Sequence, residues 1–293
     1  MAIDPELALT AQPRRTTQVW QPEDVILYHL GIGAGAAGAA DLHYVYERDL
    51  QVLPTFSVVP GLAAAGDLND VPGVSIDPVQ ALHVGQDVLA HRPLPPSGEV
   101  TSTSRVIDLA DKGSAAIIRQ EVVACDDEGP LFTNVFTIFA RGEGGFPSSA
   151  ARASGELPLE PQRQPLPARN PDFVMHVPTS GAQAALYRLS GDRNPLHVDP
   201  AVAAAAGFDR PILHGLCTLG VVTRAVVDEV LSSDATRVTR VATRFSGAMF
   251  PGETLRLSGW KEADKVMLEV GVEGRPGDVL REARVEFTSH EDS

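Results

Sequence analysis

The sequence has few cysteines, few aromatic residues and a shortage of basic residues. It contains 2 cysteines among 293 residues, and neither Cys125 nor Cys217 stands in a CxxC or another metal-ligand spacing. Neither a disulfide framework nor a structural zinc site is supported, and a reducing compartment is favoured. Lysine and arginine total 24 against 38 acidic residues, which gives a formal charge of -14. This excess repels nucleic acid and anionic membrane surfaces.

Long uninterrupted hydrophobic runs are also missing. The most apolar stretch, residues 212–231, approaches the length of a membrane span, but Arg224 and Asp228 interrupt it at a high cost in lipid. We therefore expect a buried helix there and no membrane span. The N-terminus lacks the pattern of a secretory signal, so we expect a cytoplasmic protein. A hydrophobic content of 43% with 21% charged residues is typical of a globular chain.

Prolines divide the chain into two halves of similar length. Six of them fall within residues 143–172, and this segment predicts a linker because proline removes a backbone donor and fixes φ. We expect an N-terminal domain over residues 1–142 and a C-terminal domain over residues 173–293. Four short matches at an offset of 154 or 153 indicate an internal repeat: Leu42-His43 with Leu196-His197, Gly61-Leu62 with Gly215-Leu216, Gly98-Glu99 with Gly252-Glu253, and Ala110-Asp111-Lys112 with Ala263-Asp264-Lys265.

The order of secondary-structure signals is the same in both halves. An apolar stretch begins near Gly61 or Gly215, and runs of alternating β-branched residues follow it. The predicted strands are 99–109, 115–125 and 131–141 in the first half, and 237–245, 254–260, 265–273 and 281–288 in the second. Short turns between the runs favour antiparallel pairing. We therefore predict an α+β fold in which each half wraps an antiparallel sheet around a central helix, and the two halves pack as a pseudo-dimer.

The densest polar cluster is Tyr-Arg-Leu-Ser-Gly-Asp-Arg-Asn-Pro-Leu-His, at residues 187–197. A glycine and an Asn-Pro pair favour an irregular turn, so Asp192, Asn194 and His197 are expected to converge on one point. A carboxylate and a neutral imidazole beside one water are suited to general acid-base catalysis. Taken one by one, the same residues also fit a common Asp-x-Asn-Pro turn and a packed histidine.

The string at residues 187–203 resembles the signature of R-specific enoyl-CoA hydratases, the MaoC-like or hydratase-2 family. The segments Pro-Ile-Leu-His-Gly-Leu at 211–216 and Phe-Pro-Gly-Glu-Thr at 250–254 are similar to further parts of that family. The resemblance spans nearly the full chain. It implies a double hot-dog fold with the active motif in the second half.

The resemblance also implies a role for each motif residue. Asp192 and His197 would activate the water that adds to C3 of a trans-2-enoyl thioester, and Asn194 would fix the water or the loop. The Gly215 N–H, at the start of the apolar helix, would donate to the thioester oxygen. No metal or redox cofactor is implied, since the substrate itself carries coenzyme A. We expect further substrate contacts from Tyr187, Arg193, His214 and Leu62.

The first half lacks the acidic partner of this motif. At the repeat offset, Gly38 stands for Asp192 and Ala40 for Asn194, so His43 has no partner and we expect one active site per chain. The first half would shape the acyl-chain tunnel, with Leu62 in its wall. The chain is expected to form a homodimer.

Two other functions and one other motif compete with this interpretation. The alternatives are a 3-hydroxyacyl-ACP dehydratase of fatty-acid synthesis, and a hot-dog protein that only binds or hydrolyses acyl thioesters. Residues 33–38 satisfy GxGxxG, but Pro54 and Pro60 interrupt the region where a dinucleotide site needs a helix and a second strand. We therefore do not expect NAD binding.

Overall fold

A computed structural model describes residues 3–146 and 164–289. Within these ranges the chain forms ten β-strands and seven α-helices, joined by loops and short 3-10 turns. The strands are β1 (Arg14–Trp20), β2 (Ala81–Ala90), β3 (Gly98–Asp111), β4 (Ala115–Asp126), β5 (Gly129–Arg141), β6 (Phe173–Pro178), β7 (Val238–Phe245), β8 (Thr254–Lys261), β9 (Lys265–Val272) and β10 (Asp278–Phe287). The helices are α1 (Pro5–Thr10), α2 (Pro22–Gly31), α3 (Leu42–Val45), α4 (Val58–Ala65), α5 (Gln183–Tyr187), α6 (Pro200–Ala205) and α7 (Gly215–Leu231).

The ten described strands belong to one sheet in which every neighbouring pair is antiparallel. From one edge to the middle the first half runs β1-β3-β4-β5-β2, and from the other edge the second half runs β6-β8-β9-β10-β7. The two halves thus repeat one strand order around the β2–β7 pair. This arrangement confirms the predicted α+β pseudo-dimer.

The seam between the halves is the antiparallel pair β2–β7. Gly85–Leu89 pairs with residues 240–244, so main-chain hydrogen bonds cross from one half to the other. Beside this ladder, the Arg240 guanidinium donates two bonds to the Asp87 carboxylate, at 2.9 and 2.6 Å. The two side chains are only 14% and 7% exposed. The seam therefore holds a bidentate ion pair that is largely shielded from water.

The central helices of the two halves differ in length. Helix α7 spans 17 residues and buries eleven of them, and it packs against the apolar face of strands β7–β10. Helix α4 spans 8 residues and ends before Gly66, whose φ of +66° favours glycine. Among the helices of residues 3–146 and 164–289, none has both the length and the hydropathy that crossing a bilayer requires.

Three strands were not predicted from the sequence. Strands β1 and β6 are the edge strands of the sheet, and their exposed residues alternate with partly buried ones. Strand β2 lies in the middle and carries Gly85, Gln86 and Asp87 within its paired region. Strand prediction depends on an alternation of hydrophobic and polar residues. In β2, consecutive polar residues that pair with groups on other strands interrupt this alternation.

The GxGxxG run is a turn around a carboxylate. It follows helix α2 and not a strand, so the structural context of a dinucleotide fingerprint is not present. The N–H groups of Gly35 and Ala37 both donate to the buried Asp41 carboxylate, at 2.8 and 3.0 Å. Arg224 on α7 lies 3.6 Å from the same carboxylate. The run therefore ties the first half to the long helix of the second.

The predicted linker, residues 143–172, is described only in part, since residues 147–163 lie outside the described ranges. Residues 143–146 and 164–172 contain neither helix nor strand. The end of this segment lies along β8, where the Trp260 indole N–H donates to the Arg169 carbonyl at 2.8 Å. The N–H of Lys261 donates to the Asp172 carboxylate at 2.7 Å.

Candidate active site

The polar motif forms a loop between helices α5 and α6, which we call the motif loop (residues 188–199). Gly191 has a φ of +131°, a value that favours glycine, and it turns the chain sharply before Asp192. The Asp192 carboxylate accepts from the Asn194 N–H at 3.2 Å, and the Asn194 side-chain oxygen accepts from the Leu196 N–H at 3.0 Å. These local bonds set the turn of the loop around Asp192 and Asn194.

His197 presents one ring nitrogen as a base. Its Nδ1 lies 2.9 Å from the Ile212 carbonyl oxygen, which can only accept, so Nδ1 carries the proton and Nε2 keeps its lone pair. The side chain is 8% exposed. Burial lowers the pKa of His197, while the Ile212 carbonyl and the Asp192 carboxylate oppose that change. The ring is therefore a neutral base at neutral pH.

His214 supports this arrangement from behind. Its ring stacks on His197 with a centroid separation of 3.6 Å, and its Nε2 donates to the Asp192 carbonyl at 3.1 Å. Burial, with the neighbouring His197, lowers the pKa of His214 to about 4, so this imidazole is also neutral. His214 thereby positions both the backbone of Asp192 and the ring of His197.

Asp192, His197 and His214 each offer one atom of the kind that ligates metal ions, and these three atoms lie within 4.8 Å of one another. One nitrogen of each imidazole is already bonded to a carbonyl, so one nitrogen of each ring and the carboxylate remain. A carboxylate with two imidazoles can hold a divalent metal, and it can equally hold and deprotonate a water. The sequence favours the water, and the absence of a metal from the reaction stays a prediction.

Gly215 is the first residue of helix α7. The N–H groups of a helix's first turn have no partner within the helix and lie at its positive end, where they attract negative charge. A Cβ added at Gly215 would lie 2.9 Å from the ring of Phe245, on β7. Glycine is therefore required here by close packing, and it leaves the helix start open to a ligand.

One cavity of about 520 Å³ brings most of these groups together. Asp192, Asn194, His197 and Gly215 all line it, as does Leu62 from the first half. Its walls are otherwise mainly apolar and come from both halves, with Ala65, Leu68, Ile76, Phe136 and Ile138 on one side and Leu196, Phe208, Ile212, Leu216 and Met249 on the other. A pocket of this kind fits a ligand with an apolar chain.

Three predicted substrate contacts lie outside the wall of this cavity. Tyr187 is 2% exposed and packs in the core, with its ring 4.9 Å from that of His214. His214 lies behind the motif loop, where its Nε2 donates to the Asp192 carbonyl. Arg193 is exposed on the surface, and its carbonyl accepts from Arg188 at 3.2 Å.

Other cavity residues were missed by sequence reasoning. His83 on β2 lies in the wall, its ring 5.1 Å from Phe245, and burial lowers its pKa to about 4. Gln120 on β4 and Phe245 itself also line the cavity. Each stands alone in a strand far from the motif in sequence, so no local pattern marks it. The His43 ring is tilted by 48° against the ring of Tyr44, with 4.0 Å between the ring centroids, and His43 is not part of the cavity wall.

Comparisons of this chain with family models and with known proteins indicate the same family. Residues 162–277 match the model of the MaoC like domain, and residues 19–142 match the MFE-2 hydratase 2 N-terminal domain. The enoyl-CoA hydratase ChsH3 of Mycobacterium tuberculosis is 42% identical over 96% of this chain and 97% of its own length. The 3-hydroxyacyl-thioester dehydratase Y of the same organism is 40% identical over 99% of this chain and 100% of its own length.

Matches to a longer protein and to solved structures agree with this assignment of family and fold. The peroxisomal multifunctional enzyme type 2 of Mus musculus is 40% identical over 87% of this chain, which spans 34% of that enzyme. A MaoC-like dehydratase from Phytophthora capsici superposes with a TM-score of 0.86 at 30% identity, covering 98% of this chain and 99% of its own. A Mycobacterium tuberculosis protein described as a double hotdog fold shares the fold at 14% identity, with a TM-score of 0.58 over 95% of this chain and 97% of its own. The chain therefore belongs to the family of MaoC-like dehydratases and hydratase 2 enzymes, and its fold is the double hot-dog.

Proposed function

We propose that this protein is a hydro-lyase that adds water to trans-2-enoyl-CoA to give (R)-3-hydroxyacyl-CoA, and that it catalyses the reverse dehydration. The observation that carries the proposal is that Asp192, His197 and the N-terminus of α7 at Gly215 line one cavity. Relatives that share about 40% of the sequence over nearly the whole chain are named enoyl-CoA hydratase and 3-hydroxyacyl-thioester dehydratase.

In the proposed reaction one water lies between the Asp192 carboxylate and Nε2 of His197. His197 takes a proton from this water as its oxygen bonds to C3 of the enoyl group. The C2–C3 π electrons move toward the thioester, and the N–H of Gly215 stabilises the charge that develops on the thioester oxygen. His197 then gives this proton to C2 and becomes neutral again, so that the elements of one water have been added. Dehydration follows the same steps in reverse.

We also propose a division of labour between the halves. Residues 1–142 would shape the acyl-binding end through side chains such as Leu62 and Phe136, and residues 173–293 would supply the reacting groups, with residues 143–172 as the linker. Arg193 would contact the coenzyme at the surface. Tyr187 and His214 would support the motif loop from the core, since both are buried behind it.

The function is tested with crotonyl-CoA and a thiol reagent in one spectrophotometric assay. Hydration removes the conjugated enoyl absorbance without releasing thiol, whereas hydrolysis releases free coenzyme A. We expect loss of absorbance, no thiol, and a product of R configuration on chiral analysis. Stoichiometric release of thiol would instead support the thioesterase alternative. The same assay with a crotonyl thioester of acyl carrier protein measures the preference for the carrier.

We expect no cofactor beyond the coenzyme A of the substrate, because the thioester accepts the electron pair and the helix start stabilises it. Chelation with EDTA should then leave turnover unchanged. Loss of activity that a divalent metal restores would assign Asp192, His197 and His214 to a metal instead.

We further propose a homodimer in the cytoplasm. Among the described residues, β1 and β6 each pair with one strand only, and a second chain would cover these edges together with Val19, 61% exposed, and Val174, 47% exposed. Both Cys125 and Cys217 are free thiols, which fits a reducing compartment. Light scattering should give twice the mass of one chain, and a monomer mass would contradict the proposal.

A further inference from the structure

The cavity contains one polar side chain whose hydrogen bonding is incomplete. Gln120, on β4 of the first half, lines the cavity and is 3% exposed. Its amide nitrogen donates to the Ala65 carbonyl at 2.8 Å and to the Ser104 hydroxyl at 3.0 Å. The Ala65 carbonyl is at the end of α4 and can only accept, which fixes the orientation of the amide. Both amide hydrogens are therefore used.

The amide oxygen of Gln120 has no donor among the described residues. An amide oxygen accepts up to two hydrogen bonds, and this one is open to the cavity, where water can donate to it. The neighbouring cavity residues cannot supply a donor, because Leu62, Phe136 and Ile138 are apolar. This oxygen is thus a fixed acceptor in an otherwise apolar part of the cavity wall.

Gln120 lies far from the reacting groups. Across the sheet it pairs with Phe136 on β5, Phe136 pairs with Gln86 on β2, and Gln86 pairs with Thr243 on β7. At about 4.8 Å between strands, three steps amount to roughly 14 Å along the sheet. Strand β7 also carries Phe245, which packs on Gly215. An acyl chain held at Gly215 therefore approaches Gln120 only through its distal part.

We propose that Gln120 is a specificity-determining residue that accepts a hydrogen bond from a hydroxyl group on the distal part of the acyl chain. The inference rests on the proposed function and names the substrate class of the same site: medium or long enoyl chains with a remote hydroxyl group. A plain chain of the same length displaces water from this oxygen without replacing its hydrogen bond, and a hydroxylated chain replaces that bond.

The test compares two series of trans-2-enoyl-CoA substrates of increasing chain length, one plain and one with a terminal hydroxyl. The measured quantity is the ratio of kcat/KM for the hydroxylated and plain substrates at each length. In the wild-type enzyme this ratio should rise by about tenfold at the length that reaches Gln120, since one hydrogen bond to a buried acceptor is of that order. A ratio that does not depend on length overturns the proposal.

Two variants locate the effect. Gln120→Met keeps the volume of the side chain and removes the acceptor, so the rise in the ratio should disappear. Ser104→Ala removes one partner of the amide nitrogen and keeps the acceptor, so the rise should persist. An unchanged rise in Gln120→Met overturns the assignment to Gln120.

The proposed function and this inference fail in different ways. Crotonyl-CoA is too short to reach Gln120, so absence of its hydration by the wild-type enzyme would contradict the function itself. Hydration of crotonyl-CoA together with a flat ratio would contradict only the role of Gln120. The wild-type series decides the question even where Gln120→Met does not fold.

Discussion

The ring of His197 sets the pH at which the site becomes active. A neutral imidazole can take a proton from water and a protonated one cannot, so kcat/KM falls as His197 is protonated in the free enzyme. Burial lowers the pKa of His197 below its ordinary value of about 6.5. We predict that the acidic limb of the kcat/KM profile lies below pH 6.5. A limb above that pH would contradict a buried, neutral His197, and the His43→Ala variant should show the same limb as the wild type.

Gly215 offers a second prediction at the residue scale. A methyl group at this position would lie 2.9 Å from the Phe245 ring, so either the ring or the start of α7 must shift. Disturbing a donor to a developing oxyanion typically lowers turnover by roughly 10². We expect Gly215→Ala to lose activity of this order in the crotonyl-CoA assay, with an unchanged circular dichroism spectrum.

The cause is tested by relieving the contact. Phe245→Ala in the same chain removes the three ring atoms that the methyl group meets, so the double variant should recover part of the lost turnover. No recovery would mean that the ring is not responsible for the loss.

The residues of the site differ in how far sequence could identify them. Asp192, Asn194, His197 and Gly215 fall within two short segments, and a loop and a helix start bring them together by local geometry. His83, Gln120 and Phe245 each stand singly in a strand. They reach the cavity only because β4, β5, β2 and β7 lie side by side in the sheet, which no local pattern reveals. Tyr187 begins the polar cluster and His214 belongs to the segment at 211–216, yet the structure places both side chains behind the motif loop.

At the scale of elements, the seam between β2 and β7 carries a testable ion pair. Removing the guanidinium would leave the Asp87 carboxylate, 7% exposed, without its partner. Such a buried, unpaired charge costs about 3 to 5 kcal/mol. We predict that Arg240→Met lowers the free energy of unfolding by this amount, measured by urea denaturation.

The double variant Asp87→Leu/Arg240→Met is the control for the seam. It removes both charges, and apolar replacement of a whole buried pair is often neutral, so stability should return close to that of the wild type. Wild-type stability in Arg240→Met would show that the pair does not hold the halves together.

The strands that were not predicted from the sequence, β1, β2 and β6, lack a clear hydrophobic alternation. Strands β3, β4, β5, β7, β8, β9 and β10 carry runs of alternating β-branched residues, and their predicted bounds agree with the structure within a few residues. Strands β1 and β6 lie at the edges with half their side chains in solvent, and β2 pairs polar groups across the seam. The apolar run at residues 212–231 predicted the length of α7, whereas α4 is shorter because it ends before Gly66.

At the scale of the whole molecule, the two halves share a fold and differ in chemistry. The repeat offset near 154 in the sequence corresponds to the same strand order in both halves. Sequence could therefore predict the pseudo-dimer, because duplicated turns and strands keep their spacing. It could not predict that one continuous sheet joins the halves, since the β2–β7 pairing depends on their packing. The cavity crosses this seam, so neither half would form it without the other.

The central claim is that Asp192 and His197 act on one water beside Gly215. It is tested most directly by measuring crotonyl-CoA hydration for Asp192→Asn, His197→Ala and, as a matched control, His43→Ala. We predict a loss of roughly 10² to 10⁴ in turnover for the first two variants with the fold preserved, and wild-type turnover for His43→Ala. Wild-type turnover in Asp192→Asn or His197→Ala, or an equal loss in His43→Ala, would contradict it.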